Sequence, residues 1–145
     1  MQKSSETTVK QRIYSNGTQI VRIDMEQTLE DWYPSLLSKF EYDRYDIIIL
    51  SDYNKGVLNN KWFTKIDSDN IIVDPKKDDF SYYSNGNIIT PNLNELQKAS
   101  KIKIKNDKSI VDASNELIQK CNFNYIVTKK GAKGITIVGK NNFVK

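Results

Sequence analysis

The segment IITPNLNEL, residues 88–96, sets an Asn three places before a Glu, after an apolar run and a proline. An Asn ahead of a helix can accept hydrogen bonds from the free N–H groups of the first turn. A Glu at the third helical position can reach back to that cap. The same pair, Asn92 and Glu95, carries an amide oxygen and a carboxylate, groups that hold Mg²⁺ directly or through its waters. Taken alone, the spacing fits a helix cap and needs nothing more.

Three other polar clusters share the same sequence context. DIIIL runs into Ser51-Asp52-Tyr53-Asn54-Lys55-Gly56, IIV runs into Asp74-Pro75-Lys76-Lys77, and YIV runs into Thr128-Lys129-Lys130-Gly131-Ala132-Lys133-Gly134. Each alone has a plain reading as turn chemistry or as a lysine-rich hairpin. Together they follow four short, β-branched, apolar runs. In an open α/β sheet, ligands bind at the carboxyl ends of the strands. If the four strands run parallel, the clusters share one rim. Lysines neutralise phosphate charge there, glycines admit backbone N–H groups to oxygens, and carboxylates and amides hold a metal. That combination suits a phosphorylated ligand with Mg²⁺.

The elements that must position these groups read as follows. Residues 9–15 and 18–24 form a hairpin about Asn16-Gly17, the preferred two-residue turn. That turn pairs Ile13 with Ile20 and Arg12 with Val21, which leaves neither face cleanly apolar. A helix follows over 29–40, then a strand at 46–50 and a helix near 59–66. Strands at 71–73 and 87–90 precede a helix opening at Asn92. A second helix covers 107–121 with Asp107 as cap, and strands at 124–128 and 134–138 close the chain. Unbroken apolar strands imply burial on both faces of a mainly parallel, doubly wound sheet. The fold class is α/β, with residues 1–27 as a lid-hairpin segment and 28–145 as a partial core.

Composition narrows the chemistry. The 145 residues contain no histidine and one cysteine, Cys121. Histidine-based triads, histidine-ligated metals, internal disulfides and cysteine-rich zinc sites are therefore excluded. The net charge of +4 does not require a nucleic-acid partner, because the lysines are scattered rather than striped. Joint use of Lys, Asn and Ile also fits an AT-rich coding sequence. No apolar run is long enough to span a membrane, and the first ten residues lack a secretory apolar stretch. A reducing, cytoplasmic setting follows as an expectation.

In order along the chain, TTVKQRIYSNGTQIVRID, DIIILSDYNKGVL, IIVDPKKDDFSYY, TPNLNEL and IVTKKGAKGITIV resemble segments of the ribokinase/PfkB sugar kinases. Within that family they are most similar to the branch acting on heptose 7-phosphate. The resemblance implies a ribokinase-like fold with a small hairpin lid. It implies ATP and Mg²⁺ as cofactors and a sugar phosphate as substrate. Asn92 and Glu95 match the pair that organises Mg²⁺ and the transferred phosphate. Lys76 would lie near phosphate oxygens, and Thr128 and Gly131 near the nucleotide. Lys10 and Arg12 on the lid, with Asp52 and Lys55 on the cleft floor, would meet the sugar phosphate. The lid hairpins of two chains could clasp into a homodimer. No membrane partner is implied.

Two departures accompany the resemblance. The stretch from Thr128 to Gly131 is one residue longer than the family's Thr-x-Gly spacing. The Gly-Ala-Gly-Asp segment that carries the family's catalytic base is absent from the sequence. The expectation is an internal fragment of a kinase domain, without significant kinase activity alone. The intact parent would phosphorylate heptose 7-phosphate at its anomeric hydroxyl, a step toward ADP-heptose and lipopolysaccharide precursors. A non-catalytic nucleotide-binding module or half of a split assembly is a second reading, and another sugar kinase of the same family is a third.

Overall fold

The computed structural model describes residues 7–26, 28, 41–58, 66, 70–84, 86–140 and 143–144. Its main element is a six-stranded sheet, in the spatial order β3 (Ile48–Ser51), β4 (Ile71–Asp74), β5 (Ile88–Ile89), β6 (Tyr125–Lys129), β7 (Ile135–Gly139) and β8 (Phe143–Val144). The first four strands are parallel, with Ser51 beside Asp74 and Val73 beside Ile89 beside Ile126. The last two return antiparallel. Spatial order follows chain order without reversal. The described strands are therefore wound one way, and they contain no switch point of the doubly wound kind. The expected helices at 29–40 and near 59–66 lie almost entirely outside the described residues.

Among the described residues, two helices cover one face. Helix α1 (Leu93–Ser100) buries Leu96, Ala99 and Ser100. Helix α2 (Asp107–Cys121) buries Ile110, Ala113, Ser114, Leu117, Ile118 and Cys121. Both sets recur at three- and four-residue spacing, the mark of a helix with one apolar stripe. Each helix ends in a left-handed residue, Lys101 and Asn122 respectively. The stripes meet Ile71, Val73, Ile89, Ile126 and Val138, which are all essentially inaccessible. Burying each such side chain contributes about 1.5–3 kcal/mol relative to exposure. Asn106, not Asp107, caps α2, because Asn106 has the extended backbone and accepts from the Ser109 N–H at 2.9 Å. Asp107 is the first helical residue, where its negative charge suits the helix dipole.

The other sheet face departs from expectation. Ile72, Ile88, Val127 and Ile137 are half-buried, and Ile49 is 70% exposed. The strands alternate in burial although their sequences do not alternate in polarity.

The hairpin, β1 (Val9–Ser15) with β2 (Thr18–Met25), forms its own two-stranded sheet. Its register differs from the expected one. Ser15 pairs Thr18 and Tyr14 pairs Gln19, but an irregularity between Ile13 and Tyr14 then sets Ile13 against Val21 and Arg12 against Arg22. A bulge adds one residue to one strand and re-aims everything beyond it. Val9, Ile13, Val21, Ile23 and Met25 consequently share one face of the ribbon, and all five are exposed. Lys10, Arg12, Arg22 and Asp24 occupy the other.

Candidate active-site rim

The parallel register brings the ends of β3, β4, β5 and β6 to one edge of the sheet. The Asp52 N–H donates to the Asp74 carbonyl at 3.0 Å, and the Thr90 N–H donates to the Val73 carbonyl at 2.9 Å. The Lys129 N–H donates to the Pro91 carbonyl at 2.8 Å, which carries the parallel pairing on to Asn92. Residues 52, 74, 92 and 129 thus stand on a continuous backbone ladder.

Asn92 and Glu95 form a complete capping box. Asn92 Oδ1 accepts from the Glu95 N–H at 2.9 Å, and Glu95 Oε2 accepts from the Asn92 N–H at 2.9 Å. The capping reading of the sequence is therefore realised. The remaining oxygen, Oε1, lies 3.3 Å from Lys76 Nζ, whose side chain is about half exposed. A metal could claim Oε1 by displacing that lysine without breaking the cap. Among the described residues, no three acidic or cysteine side chains gather as a metal cluster. One carboxylate oxygen, Glu95 Oε1, would suit Mg²⁺, which keeps several waters and uses one or two carboxylates plus substrate phosphates.

Beside this pair, Lys129 Nζ lies 2.5 Å from Asp74 Oδ1, and the Thr90 hydroxyl donates to the same oxygen at 3.3 Å. Asp52 is only 5% exposed. Its Oδ1 accepts from the Asn54 N–H at 2.6 Å, and its Oδ2 accepts from the Tyr83 hydroxyl at 2.5 Å. Lys77 reaches Asn54 Oδ1 at 2.9 Å and stands 3.9 Å from Asp52.

The root of the hairpin reaches this edge through Glu26. Its carboxylate pairs with Lys55 at 2.6 Å and with Lys10 at 3.2 Å. Hydrogen bonds from Lys55 and then Lys10 hold the Glu26 carboxyl below the usual range. Lys10 and Lys55, assigned from sequence to one substrate, do converge on one carboxylate. Arg12 lies on the exposed charged face of the ribbon, opposite Arg22.

The residues that the sequence assigns to the nucleotide side are placed differently from one another. Thr128 is fully buried, and its hydroxyl has no hydrogen-bond partner. It lies opposite Thr136 on the helix-covered face, so only its backbone adjoins the rim. Gly131 begins a short 3₁₀ turn and has a left-handed backbone, with open space where a Cβ would stand. Gly134, not assigned from sequence, closes that loop at φ 82° and ψ −142°, a conformation essentially reserved for glycine. Tyr83 and Glu26 were also missed. Glu26 lies outside the quoted segments, and Tyr83 ends one of them, IIVDPKKDDFSYY, without having been assigned a role.

No family model matches the chain. It is 33% identical over 156 aligned positions to the bifunctional protein HldE of Aliarcobacter butzleri, covering 100% of this chain and 33% of that protein. It is 30% identical over 148 positions to HldE of Campylobacter curvus, covering 96% and 32%. The chain spans about a third of the length of the curated relatives it matches. Among solved structures, phosphofructokinase-2 from Escherichia coli in complex with potassium superposes at a TM-score of 0.72 and 15% identity, over 95% of this chain and 48% of that one. A point mutant of that enzyme gives 0.63 at 13% identity, over 86% and 45%. Those two likenesses concern the fold alone.

The chain has the fold of phosphofructokinase-2, the ribokinase-like fold that its sequence leads one to expect. In sequence it is similar to part of the bifunctional HldE proteins.

Proposed function

We propose that this chain is the phosphate-handling part of an ATP-dependent sugar kinase. In the whole protein the acceptor would be heptose 7-phosphate, phosphorylated at its anomeric hydroxyl. The observation that carries the reading is the single rim that gathers Asp52, Lys76, Asn92 with Glu95, and Lys129. Phosphoryl transfer needs little covalent help from a protein. It needs positioning and charge stabilisation, which such a rim supplies.

Each residue has a part in this reading. Lys76 and Lys129, each held by one carboxylate partner and each about half exposed, exchange those partners for phosphate oxygens. Glu95 offers Oε1 to Mg²⁺ or its waters while Oε2 keeps the helix capped. When bound, Mg²⁺ neutralises charge on the transferring phosphates. Asn92 and the first turn of α1 present an anion-favouring helix start. Gly131 and the backbone at Thr128 adjoin the nucleotide. Lys10 and Lys55, released from Glu26, receive the sugar phosphate with Arg12. A cytoplasmic setting agrees with a nucleotide substrate.

The 145 residues carry no Gly-Ala-Gly-Asp segment, so the proton-accepting carboxylate must come from elsewhere. The chain alone is expected to bind ATP–Mg²⁺ and to release no significant ADP in a coupled assay with heptose 7-phosphate. Robust turnover would refute the part of this reading that assigns the base to another segment. Absence of ATP binding would refute the nucleotide assignment. The exposed apolar face of the ribbon favours a second reading about partners, in which two lids clasp face to face as a homodimer.

A further inference from the structure

We propose that Tyr83 is a positioning residue for this rim: its buried hydroxyl fixes the turn after β4 and thereby sets where Lys76 stands. The inference rests on the kinase reading for its functional half only.

The phenol is saturated by two separate loops. Its hydroxyl donates to Asp52 Oδ2 at 2.5 Å, in the loop after β3. It accepts from the backbone N–H groups of Lys76 at 3.2 Å and Lys77 at 3.1 Å, in the turn after β4. A hydroxyl has one proton to give and two lone pairs to fill, and all three are used here. Two successive N–H groups converging on one oxygen define the course of the backbone at the residue whose ammonium faces Glu95.

The ring is built into place. Tyr83 is 1% exposed and meets the Phe80 ring edge-on, with centroids 6.1 Å apart. It ends a 3₁₀ turn, Phe80–Tyr83, whose start is capped by Asp79 accepting from the Ser81 N–H at 3.0 Å. The Gly86 N–H then donates to the Tyr83 carbonyl at 2.7 Å. Burial first, and the Asp52 bond second, push the phenol well above its ordinary range, so it stays a donor. A tyrosine serving only as core filling would need its ring. This one ties the end of one strand to the end of the next through a single oxygen.

Tyr83→Phe removes that oxygen and keeps the ring. The test combines it with Lys76→Met in a double-mutant cycle, read by calorimetric titration of the chain with ATP–Mg²⁺. Tyr83→Phe is expected to weaken ATP binding about five- to tenfold, because two backbone donors and one carboxylate oxygen lose their partner. In the Lys76→Met background it is expected to cost less than about twofold more, since coupled residues are non-additive. Wild-type affinity in Tyr83→Phe, or costs that multiply fully, would overturn the proposal. Hydrogen exchange supplies a readout free of ligand. The amides of Lys76 and Lys77 should exchange about tenfold faster or more in Tyr83→Phe, as expected for donors that lose a buried acceptor, with Gly86 unchanged. Unchanged exchange at both would overturn it. If even the wild-type chain binds no ATP, the kinase reading fails and the exchange arm alone decides the role of Tyr83. Should Tyr83→Phe not fold, Asp52→Asn replaces it in the same cycle, and again full multiplication with Lys76→Met overturns the proposal.

Discussion

Lys129 Nζ sits 2.5 Å from Asp74 Oδ1, a contact that passes over the end of β5 to join the tips of β4 and β6. The two side chains are 44% and 46% exposed. A pair so open to solvent contributes about 0–1 kcal/mol to stability, and salt weakens it further. Its place on the rim therefore matters more than its strength. Asp74→Asn is expected to leave the thermal midpoint nearly unchanged. A loss well above about 1 kcal/mol in denaturant titration would mean that the pair holds the sheet together, and that Lys129 is not free to exchange partners.

The capping box separates stability from charge. Asn92→Ala removes the oxygen that accepts from the Glu95 N–H, and should cost about 1 kcal/mol of stability. Glutamine satisfies the same position in a capping box. Glu95→Gln should therefore fold as stably as the parent, within about 0.5 kcal/mol in denaturant titration.

Gly86 is held by space rather than by backbone conformation. A Cβ there would lie 2.8 Å from Val73 Cγ2 and 3.0 Å from the Tyr83 carbonyl. One obstacle is backbone and the other is a fully buried strand residue, so neither yields cheaply. Gly86→Ala is expected to destabilise by about 1–3 kcal/mol, the usual cost of overpacking. Circular-dichroism melting would register it, and an unchanged midpoint would show that the turn below Tyr83 can widen without cost.

Acid should loosen that same turn. The Ser81 N–H, with a further hydrogen bond from the Ser81 side chain, holds the Asp79 carboxyl below the ordinary aspartate range. A lowered folded-state value means that its contribution is present above the unfolded value, about pH 3.9, and is lost as pH falls through the folded one. Asp79→Asn should remove part of the stability difference between about pH 6 and about pH 3 in urea titrations, while an identical difference in both proteins would contradict this.

The ribbon offers a check on association. Its apolar face exists because the irregularity at Ile13/Tyr14 aligns Ile13 with Val21 and Gln11 with Ile23. Ile23→Asp places a charge in the middle of that face, away from the rim. If two lids clasp, the wild type should sediment as a dimer and this variant as a monomer. Equal sedimentation would dismiss the clasp.

Much of the sheet was legible because its signals are local. Four β-branched runs each ended at a polar cluster, and all four proved parallel with their ends on one edge. The Asn92–Glu95 cap was legible for the same reason. What escaped depended on partners distant in sequence. Tyr83 reads as an apolar aromatic until Asp52, 31 residues earlier, is seen against its hydroxyl. Glu26 has no motif, and only the fold brings Lys10 and Lys55 to it. The hairpin register failed because turn type fixes only the first pairs, and one inserted residue beyond them reverses which side chains share a face. Burial on both faces was inferred for the strands from composition, yet Ile49 stands largely in solvent. An isoleucine suits a strand whether or not anything covers it. Thr128 was placed by its motif, but strand parity turns its hydroxyl toward the helices.

The central claim is that Glu95 does more than cap a helix. Calorimetric titration of the parent chain and of Glu95→Gln with ATP, with and without Mg²⁺, tests it most directly. The variant keeps the cap, so a change in binding cannot be put down to a frayed helix. Tight, Mg²⁺-dependent binding by the parent, with both the affinity and its Mg²⁺ dependence lost in Glu95→Gln, is the expected result. Equal affinity and equal Mg²⁺ dependence in the two proteins would reduce Asn92 and Glu95 to a helix start, and the phosphate-handling rim would fall with them.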